Sequence, residues 1–170
     1  MLRCPLVCTL LSLYAVLSST AAQAVAPEVA VGDTVPHFSV RLADGGMLQS
    51  VALRGRTFVI TFFDTTCGDC RRELPVLQRL YAEMGDSVRF LCIARGESAE
   101  HTSRYWAQNG LTLPAAADPT RCVYELFVRH IVPRVYVCAS DGTITAAFAR
   151  KAGRRSLARA IRKANKHKRK

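Results

Sequence analysis

The sequence has no second Cys-x-x-Cys to accompany Cys67-Gly68-Asp69-Cys70, and no pair of histidines at ligand spacing. A closed four-ligand zinc site needs two such halves, so it is excluded. No internal repeat is visible, and the only compositionally biased segments lie at the two ends of the chain. No charged residue stands between Cys4 and Ala26, and no acidic residue between Arg150 and Lys170. No cysteine closely follows the apolar N-terminal stretch, which argues against a lipoprotein anchor.

The N-terminal stretch reads as an export signal over residues 1–24. Arg3 gives the positive start, Leu6–Leu17 the apolar segment, and Ala22-Gln23-Ala24 a small-x-small cleavage site. The alternative is a retained membrane anchor through residues 4–26, a stretch long enough to span a bilayer. Cleavage removes Cys4 and Cys8 and leaves Cys67, Cys70, Cys92, Cys122 and Cys138. An odd number does not suit a purely structural disulfide framework. Export nonetheless implies a periplasmic or other compartment in which disulfides persist. Eleven of the 24 Lys and Arg fall between Arg150 and Lys170, so the formal charge of +11 belongs to that end. The rest of the chain is formally neutral. The organisation is therefore a signal, one domain over residues 25–153, and a basic helix or tail over residues 154–170, with core enough for independent folding.

Hydrophobic patterning predicts an α/β layer fold. A small hairpin turns at Asp44-Gly45-Gly46. Thr57–Phe63 is a continuous apolar and β-branched run, as expected of a strand buried on both faces. From Cys67 to about Met84 the spacing of Leu74, Leu77, Leu80 and Tyr81 predicts a helix, ended by Gly85-Asp86. Ser87–Ala94 reads as a strand, Ser98–Asn109 as a helix, and Arg121–Arg129 as a third, shorter helix. Arg134–Ala139 and Thr143–Ala149 form a hairpin about Asp141-Gly142. Arg154–Lys163 closes the chain as a helix, with Leu157, Ala160 and Ile161 on one side.

The cysteine pair sits where a buried strand ends and a helix begins. A helix N-terminus offers free amide hydrogens and about half a positive charge, which favours a thiolate. Cys67, at the start, is the expected attacking sulfur. Cys70, one turn on, is the expected resolving sulfur. A structural role is a poor rival, because closing so short a loop removes only about 2 kcal/mol of unfolded-state entropy, against about 3 for fifteen residues. Pro75 stands inside the helix at a cost of about 3 kcal/mol and predicts a kink or a restart. Pro133 directly precedes a strand, where the ladder tolerates proline at its edge. The isomer of the Val132–Pro133 bond is open at this point.

With these residues in view, the chain resembles the thioredoxin superfamily, in its exported TlpA/ResA-like branch within the AhpC/TSA-related group. The resemblance covers nearly all of residues 31–149. It rests on VGDTVPHFSV as an opening strand, LRGRTFVITFF as the central strand, CGDCRRELPVLQRL as the active-site helix, and IVPRVYVCASDGTI as a cis-proline segment with its hairpin. It implies a thioredoxin-like fold: a central mixed β-sheet flanked by helices, with an N-terminal β-hairpin extension. It further implies a cis Pro133 opposite Cys67 and Cys70, and pairing of an extended partner segment with the backbone at Val132. The implied activity is thiol–disulfide exchange with protein thiols and disulfides, as a reductant recharged by an upstream electron donor, with no cofactor.

The chain departs from that branch at Thr66, where a tryptophan is usual, and at Thr61, where many thioredoxins bury a carboxylate. Asp69, between the cysteines, opposes a developing thiolate, while Arg71 and Arg72 act the other way. Asp64 and Glu73 flank the pair, and a part in its proton transfers is a secondary expectation. Cys92, Cys122 and Cys138 are read as packing residues, with Cys122 beginning the short helix. His130 is read as a surface loop residue, and Trp106 as packing its helix on the sheet. Two other functions stand beside the first. One is a thiol peroxidase of the peroxiredoxin type, disfavoured by Asp64 three residues before Cys67. The other is a redox-inactive module that delivers a soft metal ion such as Cu(I), disfavoured by the lack of a third ligand. The basic end is either a solvated helix end or a means of meeting an anionic membrane surface, and export argues against nucleic acid.

Overall fold

A computed structural model describes residues 28–150 and 152–166. The expected export signal and the alternative anchor both lie outside the described residues. Among the described residues no helix is long and apolar enough to cross a membrane.

The apolar run TFVITFF forms β3 (Thr57–Phe63), and all seven of its residues are buried. It is a central strand of a seven-stranded sheet. The others are β1 (Ser39–Leu42), β2 (Met47–Gln49), β4 (Val88–Arg95), β5 (Ala115–Asp118), β6 (Arg134–Cys138) and β7 (Ile144–Ala149). Their spatial order is β2-β1-β5-β4-β3-β6-β7. β3 pairs parallel with β4, and β4 with β5, while β6 lies antiparallel to β3 on the other side. The hairpin of β1 and β2 turns at Asp44–Gly46 and joins the same sheet through β5, so it is part of the sheet rather than an appendage.

Three α-helices complete the fold: α1 (Gly68–Met84), α2 (Ala99–Gln108) and α3 (Arg154–Lys166). Because side chains alternate along a strand, each strand feeds two cores. Val59, Phe63, Phe90, Cys92, Val135 and Val137 point to the core that takes Leu74, Leu77 and Leu80 of α1, Trp106 of α2, and Leu157 and Ile161 of α3. Each of the three leucines is fully buried, which is worth about 1.5–3 kcal/mol apiece. All three helices therefore cover one face. The opposite core holds Phe58, Ile60, Phe62, Leu91, Ile93 and Tyr136, and no α-helix covers it. Val35, Phe38 and Leu53 close it from the N-terminal side, and Val123, Tyr124 and Phe127 from the segment before β6.

That segment corrects one expectation. Arg121–Arg129 is not a helix, and only a 3₁₀ turn at Tyr124–Leu126 forms. The apolar spacing of Val123, Tyr124, Phe127 and Val128 is helical, but Arg121 has a left-handed φ of 62° that helical continuation forbids. Asp118 then takes the Tyr124 amide at 2.7 Å. Cys122 consequently lies exposed in a loop rather than at a helix start. A second difference is β5, which the sequence reading left out. Its sequence, AAAD, has no β-branched residue, and only pairing between β1 and β4 makes it a strand.

Helix α1 passes through Pro75 without restarting. Proline removes one internal hydrogen bond, so the Arg71 carbonyl lacks its usual amide four residues on. The helix ends at Gly85, where a Cβ would come within 2.7 Å of the Tyr81 carbonyl oxygen. Helix α3 extends three residues beyond the expected Lys163. Its buried residues are Leu157, Ala158, Ile161 and Ala164, with Ala160 at the half-buried edge. The basic segment up to Lys166 is thus a helix packed on the sheet, tied by Arg154 to Glu83 at 2.6 Å.

Candidate active site

Strand β3 delivers the chain to the sheet edge at Phe63, and the next four residues turn into α1. Asp64 shapes this turn. Its carboxylate accepts the Thr66 amide at 2.8 Å and the Thr66 hydroxyl at 2.6 Å, while its carbonyl accepts the Cys67 amide at 3.2 Å. Arg95, at the end of β4, bridges to Asp64 at 3.1 Å and stacks over the Tyr124 ring. Partial burial pushes the Asp64 carboxyl up, but the Thr66 hydrogen bonds and Arg95 outweigh it and hold the group below the usual carboxylate range. Thr65 is pinned from the other side. Its amide and hydroxyl donate to Glu97 Oε1 at 2.7 and 2.8 Å, and its hydroxyl lies 2.9 Å from His101 Nε2.

Cys67 is the N-cap of α1, with extended backbone, and its sulfur accepts the Cys70 amide at 3.5 Å. That amide is one of the orphan donors of the first turn, so the sulfur sits where a helix favours negative charge. The Cys67 thiol also donates to the Val132 carbonyl at 3.6 Å. Val132 precedes Pro133 across a cis peptide bond. Cys67 is half-buried, whereas Cys70 is wholly buried behind it. Burial pushes the Cys70 thiol far above the ordinary thiol range; a hydrogen bond with the Asp64 backbone offsets part of this, and the neighbouring Cys67 adds to the rise. Both cysteines are free thiols.

Of the flanking residues, Asp69 pairs with Arg72 at 2.5 Å across one turn of α1, so each largely cancels the other's charge. Arg71 points to solvent. Glu73 is fully buried and continues the inward stripe of α1 one turn beyond Cys70, in line with Leu77 and Leu80. His130, read from sequence as a loop residue, lines the open groove beside Cys67 together with Asp64, Asp69, Arg95, Val132 and Arg150. Arg95, Glu97, His101 and Arg150 were not singled out by the sequence. They come from the ends of other elements, and no local motif joins them to Cys67.

The match to known proteins follows this geometry. Residues 31–147 match the AhpC/TSA family. The chain belongs to that family. Among curated proteins this AhpC/TSA chain is 27% identical, over 117 residues, to the thiol-disulfide oxidoreductase ResA of Geobacillus thermodenitrificans, covering 68% of this chain and 67% of the relative. The ResA of Oceanobacillus iheyensis is 26% identical over 119 residues, or 67% of this chain and 62% of its own length. The chain thus spans about two thirds of these relatives. Among solved structures, a thiol:disulfide interchange protein of the thioredoxin family from Chlorobium tepidum superposes with a TM-score of 0.69 at 20% identity, over 80% of this chain and 98% of that one. A secreted disulfide oxidoreductase of Mycobacterium tuberculosis gives 0.67 at 18% identity, over 74% and 95%. These likenesses establish the thioredoxin-like fold of the AhpC/TSA chain.

Proposed function

We propose that this AhpC/TSA protein is a thiol–disulfide oxidoreductase that reduces disulfides of exported partner proteins through Cys67 and Cys70. One observation carries the reading. A half-exposed sulfur caps α1 within reach of the Val132 carbonyl, with a buried sulfur one turn behind it.

In the first step the Cys67 thiolate attacks one sulfur of a partner disulfide. That bond breaks, a Cys67–partner disulfide forms, and the other partner sulfur leaves as a thiolate and takes a proton. Cys70 then loses its proton and attacks Cys67 Sγ, closing the Cys67–Cys70 bond and releasing the second partner sulfur. The partner gains two electrons and two protons, and the cysteine pair loses them. An upstream dithiol donor reverses this oxidation. The reductant direction is the one the resembled branch implies.

The second step needs a proton acceptor, because burial holds Cys70 in its thiol form. Asp64 is a poor base, being held below the usual carboxylate range by Thr66 and Arg95. Glu73, buried one turn after Cys70, fills that role. The partner segment lies along Val132 and Pro133, with main-chain pairing supplying affinity. Asp69, Arg71 and Arg72 adjust the charge around the attacking sulfur.

Reduction of insulin disulfides tests the reading directly. Turnover is expected for the native protein, and Cys70→Ser is expected to accumulate a mixed disulfide through Cys67. Absence of both turnover and trapped adduct would sink the assignment.

Export through the N-terminal segment belongs to the same proposal. So does attraction of the basic end to an anionic membrane surface. With its apolar stripe buried, α3 turns Arg155, Arg159, Arg162 and Lys163 outward. Replacing Arg159, Arg162 and Lys163 by Gln is expected to weaken binding to phosphatidylserine vesicles about a hundredfold, at about 1 kcal/mol per charge. Unchanged binding would reject the membrane surface.

A further inference from the structure

The groove beside Cys67 has a cavity volume of about 380 Å³. It is built from four segments: the β3–α1 turn, the end of β4, the loop before Pro133, and the residue after β7. Both of its carboxylates are already engaged, Asp64 by Arg95 and Asp69 by Arg72. Apart from the reacting Cys67, its remaining charged or titratable side chains are Arg150 and His130, both exposed, and among the described residues neither has an ion-pair partner. The charge left over for a visitor is therefore positive.

Arg150 carries a second signature. Among the described residues nine have a left-handed φ, and seven of these are glycines. Glycine is the residue such positions favour. The two exceptions are Arg121 and Arg150, each at 62°. The Arg121 side chain lies against Gly96, with Nε 3.1 Å from where a Cβ would stand, so its place in packing is evident. Arg150 instead lines the groove. Its amide donates to the Pro133 carbonyl at 3.0 Å, which fixes its backbone to the loop that faces Cys67. A position whose backbone suits glycine here holds a cation that lines the same groove as the reacting sulfur.

We infer that this groove selects partner segments carrying carboxylates beside their reactive cysteine, with Arg150 as the specificity-determining residue and His130 in support. The inference rests on the exchange activity proposed above and names its substrate class. A peptide whose sulfur reaches Cys67 places its flanking side chains in the groove. Acidic flanks meet the unpaired Arg150 guanidinium there. Basic flanks meet it as a like charge.

The test compares two disulfide-linked peptides that are identical except for Glu or Lys on both sides of the cysteine. Reduction by the native protein is expected to favour the Glu peptide by about fivefold in kcat/KM at about 0.02 M salt, and to lose most of that preference at about 1 M. In Arg150→Gln the ratio is expected to fall towards one, and in Arg150→Glu to drop below one. Arg79→Gln/Arg104→Gln, which removes equal or greater charge from exposed positions of α1 and α2 outside the groove, is expected to keep the native ratio. A native ratio near one, with exchange running, overturns the inference alone. A ratio that falls equally in the Arg79→Gln/Arg104→Gln variant assigns the preference to overall charge and also overturns it. Absence of exchange with both peptides overturns the activity and the inference with it.

Discussion

The molecule holds two sets of cysteines whose difference is one of position. Cys92 and Cys138 lie within β4 and β6, fully enclosed, and burial pushes both thiols far above the ordinary range. There the cysteine is a small apolar side chain whose burial favours the protonated thiol. Cys67 and Cys70 lie at the seam between β3 and α1. Cys70 is as buried as the strand cysteines and shares their raised thiol. What separates it from them is Cys67, which reaches solvent, caps a helix, and stands within 3.5 Å of the Cys70 amide. A buried thiol becomes chemically useful when an exposed one is held against it.

The largest effect that sharpens this comparison is on turnover. Cys67→Ser is expected to lower insulin reduction by at least about a thousandfold, the loss typical of a removed nucleophile. Cys92→Ala, by contrast, is expected to stay within about twofold of the native rate. It should show its effect in stability instead, at about 1–2 kcal/mol for a small core truncation measured by denaturant unfolding. A large turnover loss in Cys92→Ala with native stability would break the division between the two sets.

A smaller effect is expected from Glu73→Gln, which keeps the shape of the buried side chain but removes its basicity. Turnover should fall by about a hundredfold, within the range of lost general-base assistance. The mixed disulfide should persist longer in quenched-flow samples, while the rate of its formation stays close to native. Equal slowing of both steps would place Glu73 in packing alone.

The smallest effect concerns Asp64, whose folded carboxyl lies below its ordinary value near 3.8. Its stabilisation is complete above the unfolded value and is lost as the pH falls through the folded one. Asp64→Asn is expected to cost about 1 kcal/mol near neutral pH, discounted for partial exposure of the Arg95 pair. Melting curves of the two proteins should converge as the pH is lowered from 3.8 through the depressed folded value. A difference independent of pH would show that shape rather than charge matters at this turn.

Much of this was legible in the chain, and the residues show why. Thr57–Phe63 announced itself because a strand covered on both faces carries no polar alternation. Cys67 announced itself through its spacing to Cys70 and its place before a helical pattern. The segment around Tyr124 misled, since its apolar spacing is helical while Arg121 and Asp118 commit the backbone otherwise. β5 was invisible because alanine favours no strand, and its conformation comes from β1 and β4 on either side.

The candidate site divides in the same way. Local sequence determined the pair, its helix, and the proline before β6, because each depends on neighbours within a turn or two. Only the tertiary structure decided that Val132 would face Cys67, that Arg95 would engage Asp64, that Glu97 and His101 would hold Thr65, and that Arg150 would line the groove. These residues sit about 30 to 85 positions from the pair or the turn they serve. Their meeting depends on strand order and register, which sequence spacing does not encode and which packing of the whole sheet alone settles.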